Sequence, residues 1–147
     1  MKKPAAFVGE AMDRASFEDV SLKRAIFRDV SLSGARLSDV DASKAQVANA
    51  KLDGATLDDA SAKSVTVRNT SFQGSSFHDV DFRGARVENA SFDGARFSDV
   101  SFVGVTITDA NIEGLTIDGV DIAALLDKHT SKKPAVAKRA SKRKASR

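Results

Sequence analysis

Cysteine is absent from the 147 residues, which removes disulfide staples, thiolate nucleophiles and Cys-based metal sites and suits a reducing, cytoplasmic compartment. Histidine occurs twice, at His78 and His129, too sparsely for a His-x-x-x-His metal motif or for a nucleophile, base and orienter set. No long apolar run exists: Ala5-Ala6-Phe7-Val8 is cut by Gly9 and Glu10, short of a signal peptide or a membrane span. These absences point away from an enzyme and toward a chain with no catalytic residues, no metal and no cofactor. His78, close to Asp79 and Asp81, reads as a solvent-facing corner residue.

What the chain does contain is a strict period of five. Twenty-two units run without insertion over residues 15–124, from Ala15-Ser16-Phe17-Glu18-Asp19 to Val120-Asp121-Ile122-Ala123-Ala124. Each has an apolar residue at its centre, and the residue two places earlier is Ala or Val except at Thr70, Ser75 and Leu115. Period two within the unit puts centre and predecessor on one face of a short extended segment. A helix of 3.6 residues per turn cannot keep a repeat of five, but a short strand followed by a turn can.

A second period, of twenty, governs the last residue of the units. One column reads Asp19, Asp39, Asp59, Asp79, Asp99, Gly119, another Asp29, Asn49, Asn69, Asn89, Asp109, and a third Gly34, Gly54, Gly74, Gly94, Gly114. Four units per period imply a four-sided coil in which residue n lies against residue n+20, with corner-tolerant Asp, Asn and Gly at the bends. On these residues the chain resembles the pentapeptide-repeat family over residues 15–124. The resemblance implies an all-β fold, a right-handed quadrilateral parallel β-helix. About 5.5 coils spaced about 4.8 Å apart make a rod on the order of 26 Å long. Stacked Phe72, Phe77, Phe82, Phe92, Phe97 and Phe102 should stabilise the later coils, while small centres at Ala42, Val47, Ala62 and Val67 require neighbouring coils to close in or remain underfilled, so that opening should begin near residues 40–70.

The ends depart from the pattern. Residues 1–14 are expected to form a cap or degenerate coil, because Glu10 would point inward and Gly9 and Arg14 break the columns. Ile122, Leu125 and Leu126 fall at helical spacing, with Asp121 as N-cap, so a short helix ending over residues 125–129 should cap the last coil or pair with a second copy. Residues 130–147 have no apolar period and carry Lys132, Lys133, Lys138, Arg139, Lys142, Arg143, Lys144 and Arg147 without an acidic residue. They read as a disordered basic tail suited to anionic partners: nucleic acid bound non-specifically, a membrane surface, or the chain's own acidic edge.

Grouping residues around each corner separates charge. One edge collects Glu18, Asp19, Asp39, Asp41, Asp58, Asp59, Asp79, Asp81, Asp99, Asp118 and Asp121 with no Lys or Arg, and the next holds Lys23, Arg24, Lys44, Lys63, Arg83 and Arg86 with no acid. The Asp19 to Asp99 column can be read as corner residues accepting turn amides, which leaves Asp41, Asp58, Asp81 and Asp118 unexplained. The expectation is a non-enzymatic protein-interaction or scaffold module, monomeric or paired through its C-terminus, whose acidic edge meets a basic protein partner. Some members of the family the chain resembles imitate duplex DNA and bind type II topoisomerases, so a DNA-mimicking gyrase modulator is the alternative.

Overall fold

The computed structural model describes residues 5–130. Every five residues the chain makes one short extended segment and one bend, so that about six coils stack into a parallel β-solenoid with a short C-terminal helix. Two of the four sides are parallel sheets. One sheet is built from Ala6–Val8, Ile26–Arg28, Gln46–Ala48, Thr66–Ser71, Arg86–Ser91 and Thr106–Thr108, and the other from Ser16–Glu18, Arg36–Ser38, Thr56–Ser61, Ser76–Asp81, Arg96–Ser98 and Thr116–Ile117, with Val120–Asp121 at its end. Register between the parallel strands is n to n+20, as in Phe77 beside Phe97 and Asp58 beside His78. The two remaining sides are held by isolated parallel bridges at the same spacing, such as Ser21 to Asp41 and Ser31 to Lys51.

Corners alternate between two forms, and this explains the columns. At Arg14, Arg24, Gly34, Lys44 and every tenth residue on to Gly114, the bend is a hydrogen-bonded turn: Ala35 N donates to Leu32 O at 3.0 Å, with Gly34 at φ +70°. The other corners place Asp or Asn in the left-handed region, at φ 57° for Asp19 and 49° for Asn69, which these residues enter more readily than others with a Cβ. The Gly column also serves close approach at the last coil, where a Cβ on Gly114 would meet the Gly94 backbone nitrogen at 3.3 Å.

The predecessors and centres point inward and form the core. Ala25, Ala35, Ala45, Ala85 and Ala95 are all but completely buried. The two polar predecessors are also buried and each is satisfied: Ser75 Oγ donates to Leu52 O at 2.6 Å, and Thr70 Oγ1 to Arg68 O at 2.8 Å. The aromatic stacks form as the register requires, with ring centroids 4.4 Å apart for Phe77 and Phe97 and 5.1 Å for Phe72 and Phe92. The core running past Leu37, Ala42, Ala62 and Val67 encloses a cavity of about 70 Å³, against about 20 Å³ between the phenylalanines. The small centres therefore leave space rather than drawing the coils together.

Both ends correct the sequence expectation. Residues 5–14, expected to be a degenerate coil or irregular cap, continue the solenoid: Ala6–Val8 pairs with Ile26–Arg28 and Ala11 bridges Ser31. Gly9 and Arg14 occupy the same left-handed corner positions as their counterparts at φ 67° and 64°, and Glu10 is exposed. Phe7 stacks on Phe27 at 4.9 Å, so the first coil is anchored by a ring pair of its own. At the other end, residues 118–124 do not form a further coil. Asp118 and Gly119, at φ 47° and 80°, make a two-residue hairpin that sends Val120–Asp121 back antiparallel to Thr116–Ile117. Consecutive positive φ values in an Asp-Gly pair are the signature of a tight hairpin. The helix Ile122–Thr130 starts there, with Asp121 Oδ1 accepting Ala124 N at 2.9 Å as its N-cap.

Candidate interaction edge

Strand residues 18, 38, 58, 78 and 98 and the left-handed corner after each project one row of side chains per coil. The row comprises Glu18, Asp19, Asp39, Asp58, Asp59, Asp79 and Asp99, with His78 inside it, and all but Asp58 belong to exposed residues. Among the described residues, no turn amide donates to the carboxylates of Asp19, Asp39, Asp59, Asp79 or Asp99. Their place in the fold is set by backbone, not by capping, and Asp79 and Asp99 instead approach His78 through Oδ2. Like charges about 4.8 Å apart repel by about 0.9 kcal/mol per pair even in water. The consequence is visible at Asp59, whose carboxyl is raised above its ordinary value by burial and by Asp58, Asp79 and Asp39.

The amide-accepting role falls instead to Asp41 and Asp81, which the sequence grouping had assigned to the exposed edge. Ser43 N and Oγ donate to Asp41 Oδ1 at 3.0 and 2.6 Å, and these bonds hold the Asp41 carboxyl below its ordinary value. Arg83 N donates to Asp81 Oδ1 at 3.0 Å, while the Arg83 guanidinium reaches Asp81 Oδ2 at 2.7 Å and Lys63 Nζ lies 3.6 Å away. Hydrogen bonds from Arg83 lower the Asp81 carboxyl to about 2. The acidic edge therefore does have counter-ions at Asp81, supplied by the basic edge beside it, and the two stripes are stitched together there. Asp118 accepts Asp99 N at 3.2 Å and Asp121 caps the helix, so those two are also committed to structure.

His78 occupies the middle of what remains. Its Nδ1 lies 3.0 Å from Asp58 Oδ1 and 3.3 Å from Asp79 Oδ2, and its Nε2 lies 3.4 Å from Asp99 Oδ2. Asp58 sits beneath it by strand register, and the hydrogen bond to Asp58, followed by the charge of Asp79, raises the imidazole above its ordinary value. The sequence paired His78 with Asp79 and Asp81. Coil stacking replaces Asp81, which turns to Arg83, with Asp58 and Asp99 from neighbouring coils.

A second ladder was missed entirely as an interaction. Asn49 Nδ2 donates to Asp29 Oδ1, Asn69 Nδ2 to Asn49 Oδ1 and Asn89 Nδ2 to Asn69 Oδ1, at 3.1, 3.1 and 2.6 Å. The column was legible, but only the 20-residue register turns it into a chain of amide bonds. On the basic edge, Lys63 and Arg83 face Asp81, whereas Arg24 and Lys44 project from stacked left-handed corners, both at φ 62°. The basic-tail residues Lys132, Lys133, Lys138, Arg139, Lys142, Arg143, Lys144 and Arg147 lie outside the described residues. Of the three apolar residues assigned to the C-terminal cap or a dimer contact, Ile122 packs on the core, while Leu125 and Leu126 are 52% and 40% exposed. Among the described residues no helix is long and apolar enough to cross a membrane.

Two family models match, both described as pentapeptide repeats: one over residues 15–54, the other over 39–106 and 82–122. No curated protein matches the chain. Similar solved structures include the pentapeptide repeat protein Rfr23 from the cyanobacterium Cyanothece 51142, at 12% identity over 77% of this chain and 87% of that one, TM-score 0.43. A pentapeptide repeat protein of the Arabidopsis thaliana thylakoid lumen matches at 22% identity over 81% and 74%, TM-score 0.45. Full-length QnrB1, a plasmid-mediated fluoroquinolone resistance protein, matches at 15% identity over 84% and 96%, TM-score 0.20. None of these likenesses carries a partner or an activity across.

Proposed function

The chain belongs to the pentapeptide-repeat family, and on that premise we propose that it is a non-enzymatic, cytoplasmic interaction or scaffold module whose acidic edge binds a basic protein partner. The observation that carries this reading is the row of carboxylates at Asp19, Asp39, Asp59, Asp79 and Asp99, exposed and free of turn-capping bonds. A fold does not keep like charges in stacked register for its own stability when Asn would serve the same corner, as it does at Asn49, Asn69 and Asn89. A rigid rod presents such a row with little ordering cost on binding, and charge complementarity then sets specificity and association rate. The test is affinity capture with wild type and with Asp39→Lys/Asp59→Lys/Asp79→Lys; a partner that both forms retain equally refutes the reading.

The second reading, a DNA-mimicking modulator of a type II topoisomerase, draws on the same regular carboxylate row. Arg24 and Lys44 on the adjoining edge count against it, because a duplex imitator has no use for a cationic side. Its test is a gyrase supercoiling assay at stoichiometric protein, where no inhibition or protection sets it aside. The basic residues from Lys132 to Arg147 we assign to anionic partners, with the chain's own acidic edge as one of them. Deleting residues 130–147 should then change both partner affinity and its salt dependence; if neither changes, self-masking is wrong.

A further inference from the structure

We propose that the basic edge, through Lys23, Arg24 and Lys44, binds the phosphate backbone of duplex nucleic acid. All three residues are exposed, and among the described residues none of their side chains forms an ion pair or a hydrogen bond, in contrast to Lys63 and Arg83 with Asp81. The nearest acids are committed. Asp81 pairs with Arg83 and Lys63, and Asp41 accepts Ser43 N and Oγ, with Lys23 and Lys63 lowering its carboxyl further by their charge. The cationic excess therefore falls on Arg24 and Lys44, with Lys23 at the same turn as Arg24. This surface lies apart from the acidic row and does not depend on what that row binds.

The backbone supplies a second observation. Arg24 and Lys44 both stand at φ 62°, in the left-handed region that a residue with a Cβ enters at a cost. The same corner is Gly84 at φ 73° and Gly104 at φ 69° in later coils, so the fold accepts glycine there. Stacking also sets the two cations about 4.8 Å apart, where like charges repel. Among the described residues no contact of these side chains offsets either effect, and strain kept without an internal return is a mark of a functional position.

The shape of the row selects the ligand. Lys23 with Arg24, then Lys44, Lys63 and Arg83, recur one coil apart along a straight line of about 14 Å. A duplex carries about one negative charge per 1.7 Å of its axis, so a linear polyanion of that density meets the row along its length. Arg offers a fork suited to phosphate oxygens and Lys a point charge. None of the exposed residues on this edge is aromatic, so bases find no stacking platform and the contact is to the backbone, independent of sequence. The eight cationic side chains from Lys132 to Arg147 give a long polyanion a second point of attachment, which a small anion cannot use.

The experiment titrates the full-length chain into a fluorescein-labelled, mixed-sequence DNA duplex of about 20 base pairs, read by anisotropy between about 50 and 200 mM salt. Arg24→Glu/Lys44→Glu should weaken binding about tenfold or more and reduce the slope of log affinity against log salt by about two. Arg36→Glu/Arg96→Glu makes the same change in net charge on another side of the rod and should stay within about threefold of wild type. Arg24→Gly/Lys44→Gly separates binding from folding: it should also lose affinity while melting at or above wild type, because glycine relieves the left-handed corner. Absence of wild-type binding at the lowest salt, or equal affinity of wild type and either Arg24/Lys44 variant, would overturn the proposal. So would an equal loss from the Arg36/Arg96 reversal, a lower melting temperature in the glycine variant, or edge-dependent binding to phosphatidylserine vesicles with none to the duplex.

Discussion

His78 Nδ1 stands 3.0 Å from Asp58 Oδ1 on the coil below, and this contact between residues twenty apart makes the imidazole a counter-ion of the acidic row. The folded state raises the imidazole above its ordinary 6.5, chiefly through the Asp58 hydrogen bond and then Asp79. Its contribution to stability is therefore fully present below pH 6.5 and is lost as pH rises through the raised folded value. Wild type should melt above His78→Gln below pH 6.5, and the gap should close as pH rises through the raised folded value. A gap independent of pH would show that His78 acts only through packing.

Asp59 has the opposite sign of effect on the row. Burial first, then Asp58, Asp79 and Asp39, raise its carboxyl above 3.8. Whatever stability it contributes is present below pH 3.8 and is lost as pH rises through the folded value, so at neutral pH its charge opposes folding. Asp59→Asn keeps a side chain suited to φ 52° and should raise Tm at neutral pH, with the difference vanishing under acid. Calorimetric melts across pH measure this directly.

The Asn ladder separates two causes of stability at one position. Asn69 sits at φ 49°, donates to Asn49 and accepts from Asn89. Asn69→Val should cost about 2–3 kcal/mol, by adding left-handed strain of about 1–2 kcal/mol to the lost amide bonds. Asn69→Gly removes the bonds but tolerates the backbone and should cost roughly half as much. Equal losses in urea unfolding would mean that backbone strain has no part in placing Asn at this corner.

Packing predicts where the rod opens. Phe77→Ala, at the centre of the stacked rings, should cost about 3–5 kcal/mol. Ala62→Val, beside the cavity of about 70 Å³, should be neutral or stabilising by up to about 1 kcal/mol. Backbone amides in residues 40–70 should exchange faster than those in residues 75–98 by native-state hydrogen exchange, and the reverse order would contradict the cavity argument.

The period of five and its multiple of twenty made the solenoid, the core residues and the aromatic stacks readable, because both follow from which side chains share a face. The fine structure of the site was less readable. Asp41 and Asp59 look alike in sequence, yet one accepts Ser43 amide and hydroxyl protons while the other lies at a corner that offers no donor. That difference depends on two kinds of bend alternating around the coil. The Asp118-Gly119 hairpin was hidden for a different reason: in register it looked like one more corner, and only the missing coil beneath it allows the reversal. At the N-terminus, Glu10 seemed to forbid a coil, but among the described residues nothing covers it and it stays exposed in the first coil.

The acidic row is tested most directly by the affinity of the captured partner for three purified forms at two salt concentrations. These are wild type, Asp39→Lys/Asp59→Lys/Asp79→Lys, and Arg24→Glu/Lys44→Glu. Lys44 shows that lysine can hold a left-handed backbone in this fold, at φ 62°, and a circular dichroism spectrum of each form checks that the reversed corners still fold. The account predicts that reversal of the acidic row weakens binding by about tenfold or more and flattens its salt dependence, while reversal on the basic edge leaves affinity within about twofold of wild type. Equal affinity for wild type and the acidic-row reversal would contradict it.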